Sequence, residues 1–162
     1  MKFFKRTMWL LIIAFIIIQF FRPEKNISAA PPVNHISVKF SVPDDVKQIL
    51  SASCYDCHSN NTRYPWYFSV QPVAWWLADH ISEGKKHLNF DEYSSYNLRR
   101  QYHKFEQIIE MIKEDEMPLS PYLVGHPGAA LSIEQKDKII FWSNGCMDEM
   151  KAAYPADSLL KK

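Results

Sequence analysis

Cysteine is scarce in this chain of 162 residues, which carries three. An odd number, with two of them three positions apart, does not build the disulfide framework of a small secreted domain. A surplus of charge of one sign is missing too: 19 lysines and arginines face 18 acidic residues, for a formal charge of +1. Away from the amino terminus the bases are dispersed among acids and do not form a stripe interleaved with aromatics, which excludes an electrostatic nucleic-acid surface. Internal repeats are not evident. The one long apolar run, Met8 to Phe21, is shorter than the roughly 20 residues of a full membrane span. What remains is ample for one compact domain with appendages, since 47% of residues are apolar and 14% aromatic.

The apolar run follows Lys2, Lys5 and Arg6 and closes on Arg22-Pro23-Glu24-Lys25. It reads as a targeting element over residues 1–22, either an uncleaved signal anchor that spans the membrane as one helix or an excised signal. The bulky end of the run and the lack of an immediate small-x-small site favour retention. Ser28-Ala29-Ala30 is the nearest cleavage candidate. Basic residues at the start stay in the cytoplasm, which puts the remainder on the outer, periplasmic side; cleavage would leave a soluble periplasmic domain. Residues 23–41 read as a polar, proline-bearing tether, ending in alternation of Ile36, Val38, Phe40 and Val42 that suits a short extended segment.

Cys54-Tyr55-Asp56-Cys57-His58 is the centre of the body. Two thiols and an imidazole at this spacing are the attachment signature of a c-type haem: the cysteines bond the vinyl groups and the histidine meets the iron. Attachment of haem c follows export, so motif and location agree. A helix from Pro43 to about Ser53, with Asp44 and Asp45 in its first turn, delivers Cys54. After His58 a turn leads to Tyr64-Pro65-Trp66-Tyr67-Phe68, whose rings are candidates to wall the porphyrin. Arg63, Tyr64, Trp66 and Tyr67 are candidates to bind its propionates; ordinary core packing explains each ring as well.

Pro72 opens a second helix through Ile81, with Gly84 as its stop and His80 as a possible iron ligand. A longer helix runs from Tyr93 or Ser95 to Glu116, with Leu98, Tyr102, Phe105, Ile109 and Ile112 on one stripe. Met111 lies off that stripe and His103 is exposed on the pattern, so both are poor ligand candidates. Met117-Pro118 ends the helix, because proline cannot continue it and pushes Met117 towards an extended conformation. Met117, projecting from a loop stiffened by Pro121, suits the sixth ligand position, with His126 as its main rival. Ser132 to Gln135 is a capping box opening a last helix through Ile139, Ile140 and Trp142, which Gly145 can end and which packs across the helix before Cys54. Cys146 reads as a small buried apolar side chain, and residues 151–162 as a frayed tail.

The order of these elements resembles a monohaem class I cytochrome c. The segments Cys54 to Asn60, Tyr64 to Tyr67, His80 with Glu83-Gly84, Met117-Pro118 with Tyr122, His126-Pro127 and Leu131-Ser132 resemble more closely the bacterial haem-binding domain family. The resemblance covers about residues 42–145 and implies a mainly α, cytochrome c-like domain over 42–150. It implies one covalent haem held at Cys54, Cys57 and His58. Some members of that family are joined to peroxidase domains, but this chain has one attachment signature, so peroxidase activity does not carry over.

The expected function is single-electron transfer to an unidentified redox partner, with no catalytic residues. The alternative is a haem-based sensor of small ligands, or a peroxidase-associated haem domain, with Met117 off the iron and an open axial position. A haem-free dithiol lacks its βαβ context, and a zinc site lacks enough clustered ligands.

Overall fold

A computed structural model describes residues 2–160. It is mainly helical, with 69% helix and no strand among the described residues. The helices in chain order are α1 (Lys2–Ile18), α2 (Asp44–Ser53), α3 (Tyr55–His58), α4 (Val73–His87), α5 (Leu98–Lys113), α6 (Ser120–Gly125), α7 (Ile133–Ala153) and α8 (Ala156–Leu159).

The main core forms where α5 packs on α7, with α2 and α8 against the same pair. Phe105 sits at its centre, edge-on to Trp142 with ring centroids 5.6 Å apart and to Phe40 at 5.2 Å. Tyr93, Leu50, Ile139 and Met150 close around it, all fully buried. The Trp142 indole N–H donates to the Ser41 carbonyl at 2.9 Å and so ties α7 to the entry of α2. A second, smaller core gathers Phe68, Ala74, Leu77 and Ile81. The four-residue helix α3 lies between the two: Cys54 and Tyr55 pack on the main core, Cys57 on the smaller one.

Several boundaries differ from the sequence reading, each for a local reason. The expected transmembrane helix is not found. Helix α1 has 17 residues, about 26 Å at 1.5 Å per residue against a hydrocarbon core of roughly 30 Å. No helix among the described residues is long and apolar enough to cross a membrane. The segment after it is no free tether. Phe21 O accepts from Gln71 Nε2 and the Trp75 indole, and Asn26 Nδ2 donates to Ser59 O and Thr62 Oγ1. Ile36–Val38 is a 3₁₀ turn capped by His35 rather than an extended piece.

Gly84 does not stop α4, which continues to His87; it lies where a side chain would strike the motif. Helix α5 ends at Lys113, before Met117-Pro118, because Asp115 takes a left-handed φ of 58°. The amides of Glu116 and Met117 then fold back onto the Met111 carbonyl at 2.9 and 3.3 Å. Gly145 does not end α7 either. The capping box at Ser132 and Gln135 is present, but the helix runs on to Ala153 because Cys146, Met147 and Met150 still face the core. The terminal residues are packed as far as Leu159, which is 2% exposed in α8.

Candidate haem site

The end of α2, Asp56 to His58 of α3, one face of α4, one face of α5 and the loop after α5 surround a pocket of about 410 Å³ with a predominantly apolar lining. That is within the roughly 300–1,000 Å³ of small-molecule and cofactor sites. Cys54, Cys57, His58 and Met117 all line it. Sequence separations of up to 63 positions are closed by the α5 turn, which brings Met117 back over the site. Met111 lines it as well, contrary to its off-stripe reading.

His58 is poised as a ligand. Its Nδ1 lies 2.9 Å from the Leu88 carbonyl oxygen. A carbonyl only accepts, so Nδ1 carries the proton and Nε2 keeps its lone pair. Burial, more than any neighbouring charge, pushes the imidazole pKa down and keeps the ring neutral. The thiols are also uncharged. Burial, then the adjacent Cys57, pushes Cys54 up to about 12; burial, then Asp56, pushes Cys57 up to about 11. A redox dithiol needs the opposite surroundings, ones that stabilise thiolate. Among the described residues no cluster of three or more His, Cys, Asp and Glu side chains could hold a metal ion by itself.

Gly84 sets how close α4 comes to the motif. A Cβ there would lie 2.8 Å from Cys57 O and 3.2 Å from Cys57 Cβ, so only glycine lets the backbones approach this far. Asp56, 6% exposed, locks the motif from behind. Its Oδ1 accepts from Arg63 N and Nε at 3.1 and 3.2 Å, and its Oδ2 from the Tyr122 hydroxyl at 2.9 Å. Tyr122 also lines the pocket, so the segment after Met117 is fastened to the motif itself.

A family model described as "Haem-binding domain" matches residues 13–145. The chain belongs to the haem-binding domain family. No curated protein and no solved structure matches it. Family membership and pocket agree on haem as the ligand, and the residues present fit one: apolar walls for the macrocycle, an imidazole with a free nitrogen for iron, and two thiols beside it.

In this haem-binding domain four of the sequence candidates lie away from the pocket. Arg63, Tyr64, Trp66 and Tyr67 do not line the pocket. Arg63 is committed to Asp56 and Ser51 O, Tyr64 packs at a tilt against Phe68 and accepts from Asn26 N, and Trp66 is 82% exposed. Tyr67 instead meets His126, with its hydroxyl 3.3 Å from Nδ1. His126 stacks on Tyr122 at 4.2 Å and does not line the pocket. Chain proximity to His58 put these aromatics on the candidate set, but the turn at Ser59–Thr62 carries them to the far side of α3.

His80 does line the pocket, with Nδ1 2.8 Å from Trp76 O and Nε2 therefore free. Lys104 and Gln107 line it too, and sequence reasoning missed both. The signal was there: Lys104, Ile108 and Met111 share a second stripe of α5, beside the one read as apolar, so a lysine lay on a face with buried neighbours.

Proposed function

We propose that this protein is a monohaem c-type cytochrome domain that carries single electrons. Cys54 and Cys57 would hold the haem covalently, and His58 and Met117 would bind its iron. The observation that carries the reading is the meeting of both thiols, the His58 imidazole and the Met117 thioether in one pocket. Bound there, the group would supply an iron able to take up and give up one electron, and ligation by methionine and histidine would set its potential above that of two histidines.

The chain's own part is positional. The Leu88 carbonyl fixes the His58 ring, Gly84 lets α4 press on Cys57, and the Asp56–Tyr122 bond holds the segment that follows Met117. No residue has to move a proton, which suits a carrier that hands electrons to a redox partner protein. The basic start and apolar run of α1 act as an export element that takes the domain to the outer, periplasmic side, where haem c is attached.

His80 supports a second ligation reading, since it presents a free Nε2 to the same pocket. The absorption spectrum of the oxidised protein separates the two. Sulfur–iron ligation gives a weak band at about 700 nm, which Met117→Ala abolishes and His80→Ala leaves in place. The reverse pattern would replace methionine by His80. No such band, together with rapid carbon monoxide binding to the reduced protein, would favour an open-site sensor.

A further inference from the structure

Of the residues that line the pocket, one carries a lysine or arginine charge: Lys104, from the middle of α5. It is 9% exposed as a whole residue, with its side chain on the pocket wall. The described residues give it no carboxylate partner. Its hydrogen-bond acceptor is Gln107 Oε1, a neutral oxygen one turn along the same helix. Partial burial with no carboxylate beside it disfavours the ammonium and leaves it ready for an anion, and burial, then the nearby Arg100, pushes the Lys104 pKa down. Among the described residues Gln107 Oε1 is the one acceptor of the Lys104 ammonium, and the Gln107 amide NH₂ has none, so both have donors to offer a ligand. The pocket's acidic residues lie elsewhere: Asp79 and Glu83 on α4, Asp56 on α3. A ligand that carries carboxylates is thus repelled from one wall and attracted to the other.

We propose that Lys104, assisted by the Gln107 amide, is the carboxylate-binding end of this pocket and pairs with a propionate of the haem. The inference rests on the haem reading. It moves the propionates from the Arg63–Tyr67 stretch to α5, and it makes Lys104 a residue that would orient the haem within the pocket. A cation held against a propionate also favours the reduced haem electrostatically, because it offsets the anion that would otherwise stabilise ferric iron.

The test uses the full chain matured with covalent haem, as wild type, Lys104→Met, Lys104→Arg and Gln107→Leu, with Lys113→Met as an exposed control on the same helix. Haem content is measured first; wild type without haem refutes the function proposed above, whatever Lys104 does. With haem present, Lys104→Met is expected to shift the oxidised-to-reduced ratio at fixed ambient potential about tenfold towards oxidised, a fall of roughly 59 mV for a one-electron couple. Redox-difference infrared spectra should show the propionate carboxylate bands moved in the same variant.

Lys104→Arg should keep the potential while it moves those bands, Gln107→Leu should give a smaller fall of the same sign, and Lys113→Met should change neither. Unchanged bands and potential in haem-loaded Lys104→Met overturn the proposal. So does loss of an axial-ligand signature in that variant, which would make Lys104 an iron ligand. Should Lys104→Met fail to fold, unchanged bands in both Lys104→Arg and Gln107→Leu are the overturning result.

Discussion

Replacing Gly84 by alanine should cost stability, although it puts the best helix former into the interior of a helix. The helical gain is about 1 kcal/mol. Against it stands a Cβ placed 2.8 Å from the Cys57 carbonyl oxygen and 3.2 Å from Cys57 Cβ. Both are anchored atoms of the motif, so α4 and α3 must separate, and overpacking of this kind costs about 1–3 kcal/mol. Gly145 supplies the internal reference. It is equally interior to its helix, it is exposed, and an added Cβ meets nothing within 4 Å. Gly145→Ala should therefore stabilise by about 1 kcal/mol. The difference between the two variants isolates the contact with Cys57 at about 1–3 kcal/mol. In a protein of this size that is a melting-temperature gap of roughly 2–12 °C. Urea titrations followed by circular dichroism, with equal m-values for both variants, measure it. Gly84→Ala should also lower the yield of attached haem, since Cys57 is displaced. Equal stabilisation by both substitutions would refute the close approach of α4 to the motif.

Tyr122→Phe removes the donor to Asp56 Oδ2 and leaves a buried carboxylate oxygen without its partner. A loss of about 1–3 kcal/mol is expected, largely absent when Asp56→Asn is already present; additive losses in that cycle would exclude the coupling. Cys146 is a buried thiol whose pKa burial pushes up from 9.0 to about 12. The folded state thus holds a proton that the unfolded state releases above pH 9, so this contribution to stability is complete below pH 9 and is lost as pH rises towards 12. Cys146→Ala should flatten that part of the alkaline stability curve, and an unchanged slope would contradict the burial.

The parts of this fold legible in the sequence were those that depend on local chemistry. The capping box at Ser132, the aspartates opening α2 and the apolar stripe of α5 are decided within a turn or two of chain, and each appears in the structure. That Cys54, Cys57, His58 and Met117 line one pocket agrees with the Cys-x-x-Cys-His spacing and with the Met117-Pro118 break from which they were read. Gly84 and Gly145 were misread as stops, since a glycine's meaning depends on what lies opposite it: Cys57 in one case, open solvent in the other. The 59–62 turn decided which side of α3 received the aromatics, and nothing in Tyr64 to Tyr67 records that side. Lys104 was hidden for the converse reason. A lysine on a periodic helix reads as solvated surface until the packing of α5 against the pocket shows which stripe is buried.

Retention of haem by the unfolded chain tests the central claim most directly. The full chain, expressed together with a haem-attachment system, is denatured and extracted with acidified organic solvent, and the haem that remains on the protein is measured. The account predicts one haem per chain in wild type and none left on the protein in Cys54→Ala/Cys57→Ala. Complete extraction of haem from the wild type, or its retention by the double variant, would contradict it.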